Sequence, residues 1–139
     1  GEQFVVDETG EFICREERML LVSTSISMKD AFNIVDDLGG LFIPAHVNRQ
    51  AFGLLANLGF IPTDIEVTAV EISRHLTPQA ALEQFSQLCG YPIIQDGDVH
   101  RLNEFLGSLF FTIKEPTIKE ICLALKHQEG RTFCVNPPT

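Results

Sequence analysis

The sequence predicts an α/β chain, a β-hairpin followed by parallel βα units. Three observations carry that prediction. Residues 41–45, 67–72 and 92–95 are short apolar runs with little alternation, as in strands covered on both faces. The segments between them carry apolar residues at helical spacing. Each run also ends in a cluster of polar residues, and alternating βα units bring such ends to one rim of a parallel sheet.

Composition bounds the rest. The 139 residues suffice for one domain with one core. Hydrophobic residues make up 45% and charged residues 21%, which describes a globular chain and not a disordered one. A mean hydropathy of +0.12 points to buried strands or to a surface that meets a partner. Ten basic against nineteen acidic residues leave a net charge of −9, which argues against binding nucleic acid through phosphate contacts. Cys14, Cys89, Cys122 and Cys134 form no C-x-x-C pair and sit in or beside apolar runs. They are expected to be reduced and buried, which suits a cytoplasmic location. No apolar run reaches the roughly 20 residues of a membrane span. A start at Gly1 is the start expected of a processed, tagged or excised fragment.

Residues 3–6 and 11–14 flank an acidic turn ending in Gly10 and read as the hairpin. Residues 19–22 read as a further short strand or a docking segment, so that residues 1–26 form a hairpin and docking unit. Ser27 caps a helix over 28–38, with Asp30 at the third position, and Gly39 and Gly40 end it. The strand over 41–45 contains Pro44, which fits at its last pairing position because proline cannot donate to a ladder. A helix over 50–58 stops at Gly59, and the strand over 67–72 follows. Thr77 and Pro78 open the next helix, Gly90 stops it, and the strand over 92–95 comes after. A helical turn over 102–106, a strand over 109–113, a helix over 118–126 and a strand over 132–135 complete the βα units of residues 27–135. The tail of residues 136–139 is expected to be disordered.

The strand-end clusters carry the chemistry. They are His46 with Arg49, then Glu71 with Arg74 and His75, then Asp98 with His100 and Arg101. In an extended segment, positions two apart share a side. Glu71, Ser73 and His75 therefore share one parity, as do Asp96, Asp98 and His100, and Asp98 and His100 are spaced to aim a carboxylate and an imidazole at one metal ion. His75 reads as structural and His127 as a solvated helix end. Phe42, Phe52, Phe60, Phe85, Phe110 and Phe111 read as core.

The segments GGLFIPAHVNR (39–49), VEISRH (70–75) and IIQDGDVHRLNEFLG (93–107) together resemble the PHP family, the polymerase and histidinol phosphatase domains. The resemblance implies a metal-dependent phosphoesterase on a distorted seven-stranded βα barrel, of which this chain would be the C-terminal part. It implies His46, Asp98 and His100 as metal ligands, with Gly97 and Val99 where the family has Ser and Ala. Arg49 and Arg101 are then the candidates for holding a substrate phosphate through bidentate bonds. Glu71 and Arg74 would orient a ligand from behind, or Glu71 would form a salt bridge with Arg74 or Arg49. The family's metal centre opens with a His-x-His motif on the first strand, and this chain has no histidine before His46. The expected reading is part of a phosphoesterase for a phosphorylated small molecule, with zinc, manganese or iron in the parent protein. In this chain alone, no catalytic residue is assigned and metal binding would be weak or absent. The alternative is a non-catalytic assembly or binding module. Open sheet edges predict self-association, or association with the missing N-terminal half.

Overall fold

The computed structural model describes residues 2–20 and 22–136. Leu21, inside the expected 19–22 segment, and the end of the expected tail lie outside the described residues. Strands β1 (Phe4–Val6) and β2 (Phe12–Arg15) form an antiparallel hairpin with an irregularity between Val5 and Val6. Asp7 builds the turn, because its carboxylate accepts from the backbone of Thr9 at 2.8 Å and of Glu11 at 2.9 Å. Met19, Leu20 and Val22 are not in a strand.

Helix α1 (Met28–Asp37) starts where Ser27 accepts from the backbone of Asp30. Helix α2 (Leu54–Leu58) is shorter than its apolar spacing suggests. Phe52 takes a left-handed φ of 62° ahead of Gly53, so helical backbone starts only after it. Helix α3 (Pro78–Gln84) and helix α4 (Ile118–Leu125) are capped by the Thr77 and Thr117 side chains. Strand β3 (Val70–Glu71) pairs in parallel with β4 (Ile93–Ile94). Strand β5 (Leu109–Thr112) pairs antiparallel with β6 (Thr132–Val135).

This arrangement corrects the predicted fold class. The described residues form three two-stranded sheets, not one run of parallel βα units, and they do not form part of a βα barrel. Two local causes are visible. The segment over 41–45 runs beside β3 without joining it as a strand. The Glu71 backbone N–H donates to the Pro44 carbonyl at 3.0 Å, but the Glu71 carbonyl accepts from Val47 at 2.9 Å. A regular parallel ladder would use His46 there, so one extra residue breaks the register. The second cause lies after β4. Ser108 donates its hydroxyl to the Gln95 carbonyl at 3.0 Å, which sets the start of β5 at the end of β4. A parallel strand would have to start beside the beginning of β4, and the connection carries only a three-residue 3-10 turn, Leu102–Glu104.

Two apolar clusters hold these pieces. Val47, Leu55, Val70, Ile72, Ala81 and Leu88 are buried in the larger one, with Phe32 and Phe42 packed edge-on beside it. Ala69, Ile94 and Leu125 centre the smaller one, against Phe111, Ile121 and Phe133. A buried bidentate ion pair joins α4 to the residue that leads into β6: Arg131 donates from Nε at 2.9 Å and from Nη2 at 2.7 Å to the Glu120 carboxylate. The same carboxylate accepts from the Lys114 backbone at 2.9 Å. The cysteines are free, but Cys14, Cys89 and Cys134 are exposed, so the expectation that all four are buried is corrected. Among the described residues, no helix is long and apolar enough to cross a membrane.

Candidate functional site

The parallel pair β3–β4 delivers two of the three polar clusters, and the 41–47 segment delivers the third. Glu71 ends β3 with only 5% of its surface exposed. One carboxylate oxygen, Oε2, accepts from the His46 backbone N–H at 3.1 Å. That N–H is free because of the register break described above, and His46 itself takes a left-handed φ of 33°. The other oxygen, Oε1, is buried with no hydrogen-bond partner, and so is Nδ1 of His46. The Asp96 carboxyl lies within hydrogen-bonding reach of Glu71. Burial, and then Asp96, push the Glu71 carboxyl up to about 7. Glu71 forms no salt bridge with Arg74 or Arg49.

The scaffold behind this rim is polar and tightly bonded. Gln95, 1% exposed, donates to the Ser73 carbonyl at 2.9 Å and the Leu76 carbonyl at 2.7 Å. It thereby ties the turn after β3 to the end of β4. Asn48 and Ser73 bond reciprocally, at 2.8 Å and 3.1 Å, and join the His46 segment to the same turn. Arg74 donates to the Glu104 carbonyl at 2.7 Å. Its Nε and the Oε1 of Gln95 are the other buried side-chain atoms without a partner among the described residues. All four such atoms belong to this rim, where unpaired buried groups call for an explanation.

The Asp98 loop departs from the extended geometry read from the sequence. Gly97 and Asp98 have φ of 100° and 52°, so alternation stops before His100. The His100 ring turns back to its neighbour, with Nδ1 2.8 Å from the Asp98 carbonyl oxygen and 4.0 Å from its carboxylate. Asp98 instead accepts from Arg49 at 2.7 Å. Gly97 is required here, because a Cβ at that position would stand 2.8 Å from Leu106 and 2.9 Å from the Arg74 guanidinium. The Arg101 side chain is exposed, and its backbone N–H donates to the Glu104 carboxylate at 3.2 Å.

A cavity of about 280 Å³ opens at this rim between Arg49, Arg74, His75, Asp98 and Glu104. A larger hollow of about 580 Å³, between Glu66, Tyr91, His127 and Phe133, lies on residues preceding β3 and β4 and is remote from the titratable cluster. His127 lines that hollow and stacks on Phe133 at 5.3 Å. The sequence puts Glu71 behind the ligands and Asp96 on the side of Asp98 and His100 without a role of its own. The structure makes the Glu71 carboxyl the buried centre of the rim, with the exposed Asp96 beside it. The available signal was Glu71 as the one acid inside the apolar run of residues 67–72.

The donor types here, imidazole and carboxylate, suit zinc, manganese or iron. The set is short, however. Among the described residues, no three His, Cys, Asp or Glu side chains come together to hold an ion.

No family model matches the chain, and no solved structure matches it. The uncharacterized protein YqxK of Bacillus subtilis (strain 168) is 30% identical over 109 residues, which cover 73% of this chain and 28% of that protein. The chain therefore spans less than a third of the curated relative it matches.

Proposed function

We propose that this chain contributes one rim of a metal-dependent phosphoesterase site of the PHP type and carries an incomplete donor set by itself. The observation that supports this reading is the buried Glu71 carboxyl beside His46 and Asp96, with Oε1 of Glu71 and Nδ1 of His46 both left without partners. A buried carboxylate oxygen and a buried imidazole nitrogen left without hydrogen bonds are costly in a purely structural role. They are inexpensive where a cation, held jointly with further ligands, satisfies them. Arg49 and Arg74 stand beside the cavity where a phosphoryl group would sit, and Arg49 would have to exchange its Asp98 partner for that anion. A divalent ion at such a rim would activate water and offset charge on the phosphoryl oxygens. The reading rests on the residues of the site and not on a barrel.

Titration of the purified chain with Mn²⁺ and Zn²⁺, followed by elemental analysis after desalting, tests it. The expected result is weak, substoichiometric binding that His46→Ala and Glu71→Gln each abolish. Two or more tightly held metal ions per chain would show that the centre is complete here, and metal binding indifferent to both substitutions would remove His46 and Glu71 from it. A second reading, a non-catalytic binding or assembly module, is favoured by one observation, the absence of a closed ligand group among the described residues. Hydrolysis of a simple phosphodiester by the metal-loaded chain, lost in Glu71→Gln, would exclude that module.

A further inference from the structure

We propose that the outer edge of β1 is an interface through which two copies of this chain pair. The argument begins with area. The chain exposes 9788 Å² at 15.5 kDa, whereas a folded monomer of that mass exposes about 7,200 Å². The surplus of about 2,600 Å² per copy exceeds the roughly 800 Å² per partner that a stable interface buries.

The hairpin contributes apolar surface to that total. Phe4, Val6, Phe12 and Ile13 are each at least half exposed. No hairpin residue belongs to either core cluster, so nothing among the described residues covers the hairpin's faces. The backbone shows which edge is open. Glu16 donates its N–H to the Gln3 carbonyl, and Asp7 donates to the Glu11 carbonyl, so residues 3 and 7 bond across the hairpin. By alternation, Phe4 and Val6 turn their N–H and C=O groups outward. Those outward groups have no partner elsewhere among the described residues.

An antiparallel pairing of β1 with β1 of a second copy, centred on Val5, sets Phe4 opposite Val6 of the second copy and the reverse. Both pairs fall at hydrogen-bonding positions, which gives four backbone bonds around a two-fold axis. The strand carries no charge, and Gln3 meets Asp7 of the second copy, so no like charges oppose within the ladder. The β2 edge is the poorer candidate. The register slips on that side at Ile13, and such a bulge blunts edge pairing. The net charge of −9 per copy works against association and sets its salt dependence: screening favours the dimer.

Sedimentation equilibrium over about 10–100 µM, where weak dimers form, tests the proposal. The expected result is a monomer–dimer equilibrium that tightens as salt rises. Val6→Pro removes one outward N–H per copy without touching a bond inside the hairpin, and should weaken dimerisation by at least about tenfold. Cross-strand NOEs between Phe4 and Arg15 check that the hairpin survives in that variant. If it does not, Val6→Glu, which keeps the N–H but adds to the like charge at the edge of both copies, is the deciding variant and should also weaken the dimer. A monomer throughout the range, open-ended aggregation without a dimer, or a dimer indifferent to the deciding variant would each overturn the proposal.

Discussion

The Glu71 carboxyl sits in the folded chain at about 7, well above the ordinary 4.5, because burial disfavours its charge and Asp96 adds to the effect. A carboxyl raised in this way binds its proton more tightly folded than unfolded. Between about pH 4.5 and 7 the native state therefore holds more protons, and stability falls as pH rises through that window. Glu71→Gln keeps an acceptor for the His46 N–H but removes the ionisation. It should match the parent chain near pH 5 and exceed its stability near pH 8 by on the order of 1–3 kcal/mol, in urea melts at the two pH values. Equal stabilities at pH 8 would mean that Glu71 is charged at no cost. At this scale, the sequence marked His46, Glu71 and Asp98 as polar ends of apolar runs. It did not show that His46 would take a left-handed backbone and hand its N–H to Glu71, because that depends on a register break between two segments remote in the chain.

Elements were legible where the signal was local. The Ser27 and Thr77 caps each accept from the backbone three residues on, as the sequence spacing predicts, and Thr117 caps α4 in the same way. Helix α4 depends most on its cap, since it carries Ala124 and Leu125 into the core and Glu120 into the buried pair with Arg131. Thr117→Ala should cost about 1 kcal/mol, read as a lower urea midpoint with an unchanged slope. An unchanged midpoint would mean that tertiary packing alone sets the start of α4. Strand extents were less legible. Residues 67–72 are apolar enough for a six-residue strand, yet only Val70–Glu71 pair. Apolarity reports burial, and burial is also met by extended backbone that pairs with nothing.

At the scale of the whole molecule, two clusters with different neighbours share the work of the core. Leu125, 1% exposed, sits where α4, β4 and the β5–β6 pair converge. Leu125→Ala should cost about 2–5 kcal/mol, and a thermal melt or urea titration checks it. A loss below about 1 kcal/mol would mean that the smaller cluster folds around the gap or contributes little. This convergence also shows why the order of the elements alone does not fix the topology. Alternating β and α segments predict parallel crossovers, but the same order is satisfied by an antiparallel β5–β6 pair bridged by α4. Choosing between them takes the Ser108–Gln95 bond, which anchors the start of β5 at the end of β4.

By itself the sequence determined the starts of α1, α3 and α4, the hairpin, the positions of most strands and the polar residues at their ends. All of these follow from chemistry within a few neighbouring residues. Only the tertiary structure decided the direction of β5, the break at Pro44 and His46, and the burial of the Glu71 carboxyl. These depend on which distant backbone groups find partners and which carboxyls are shut away from water, and neither is written in any one stretch of the chain.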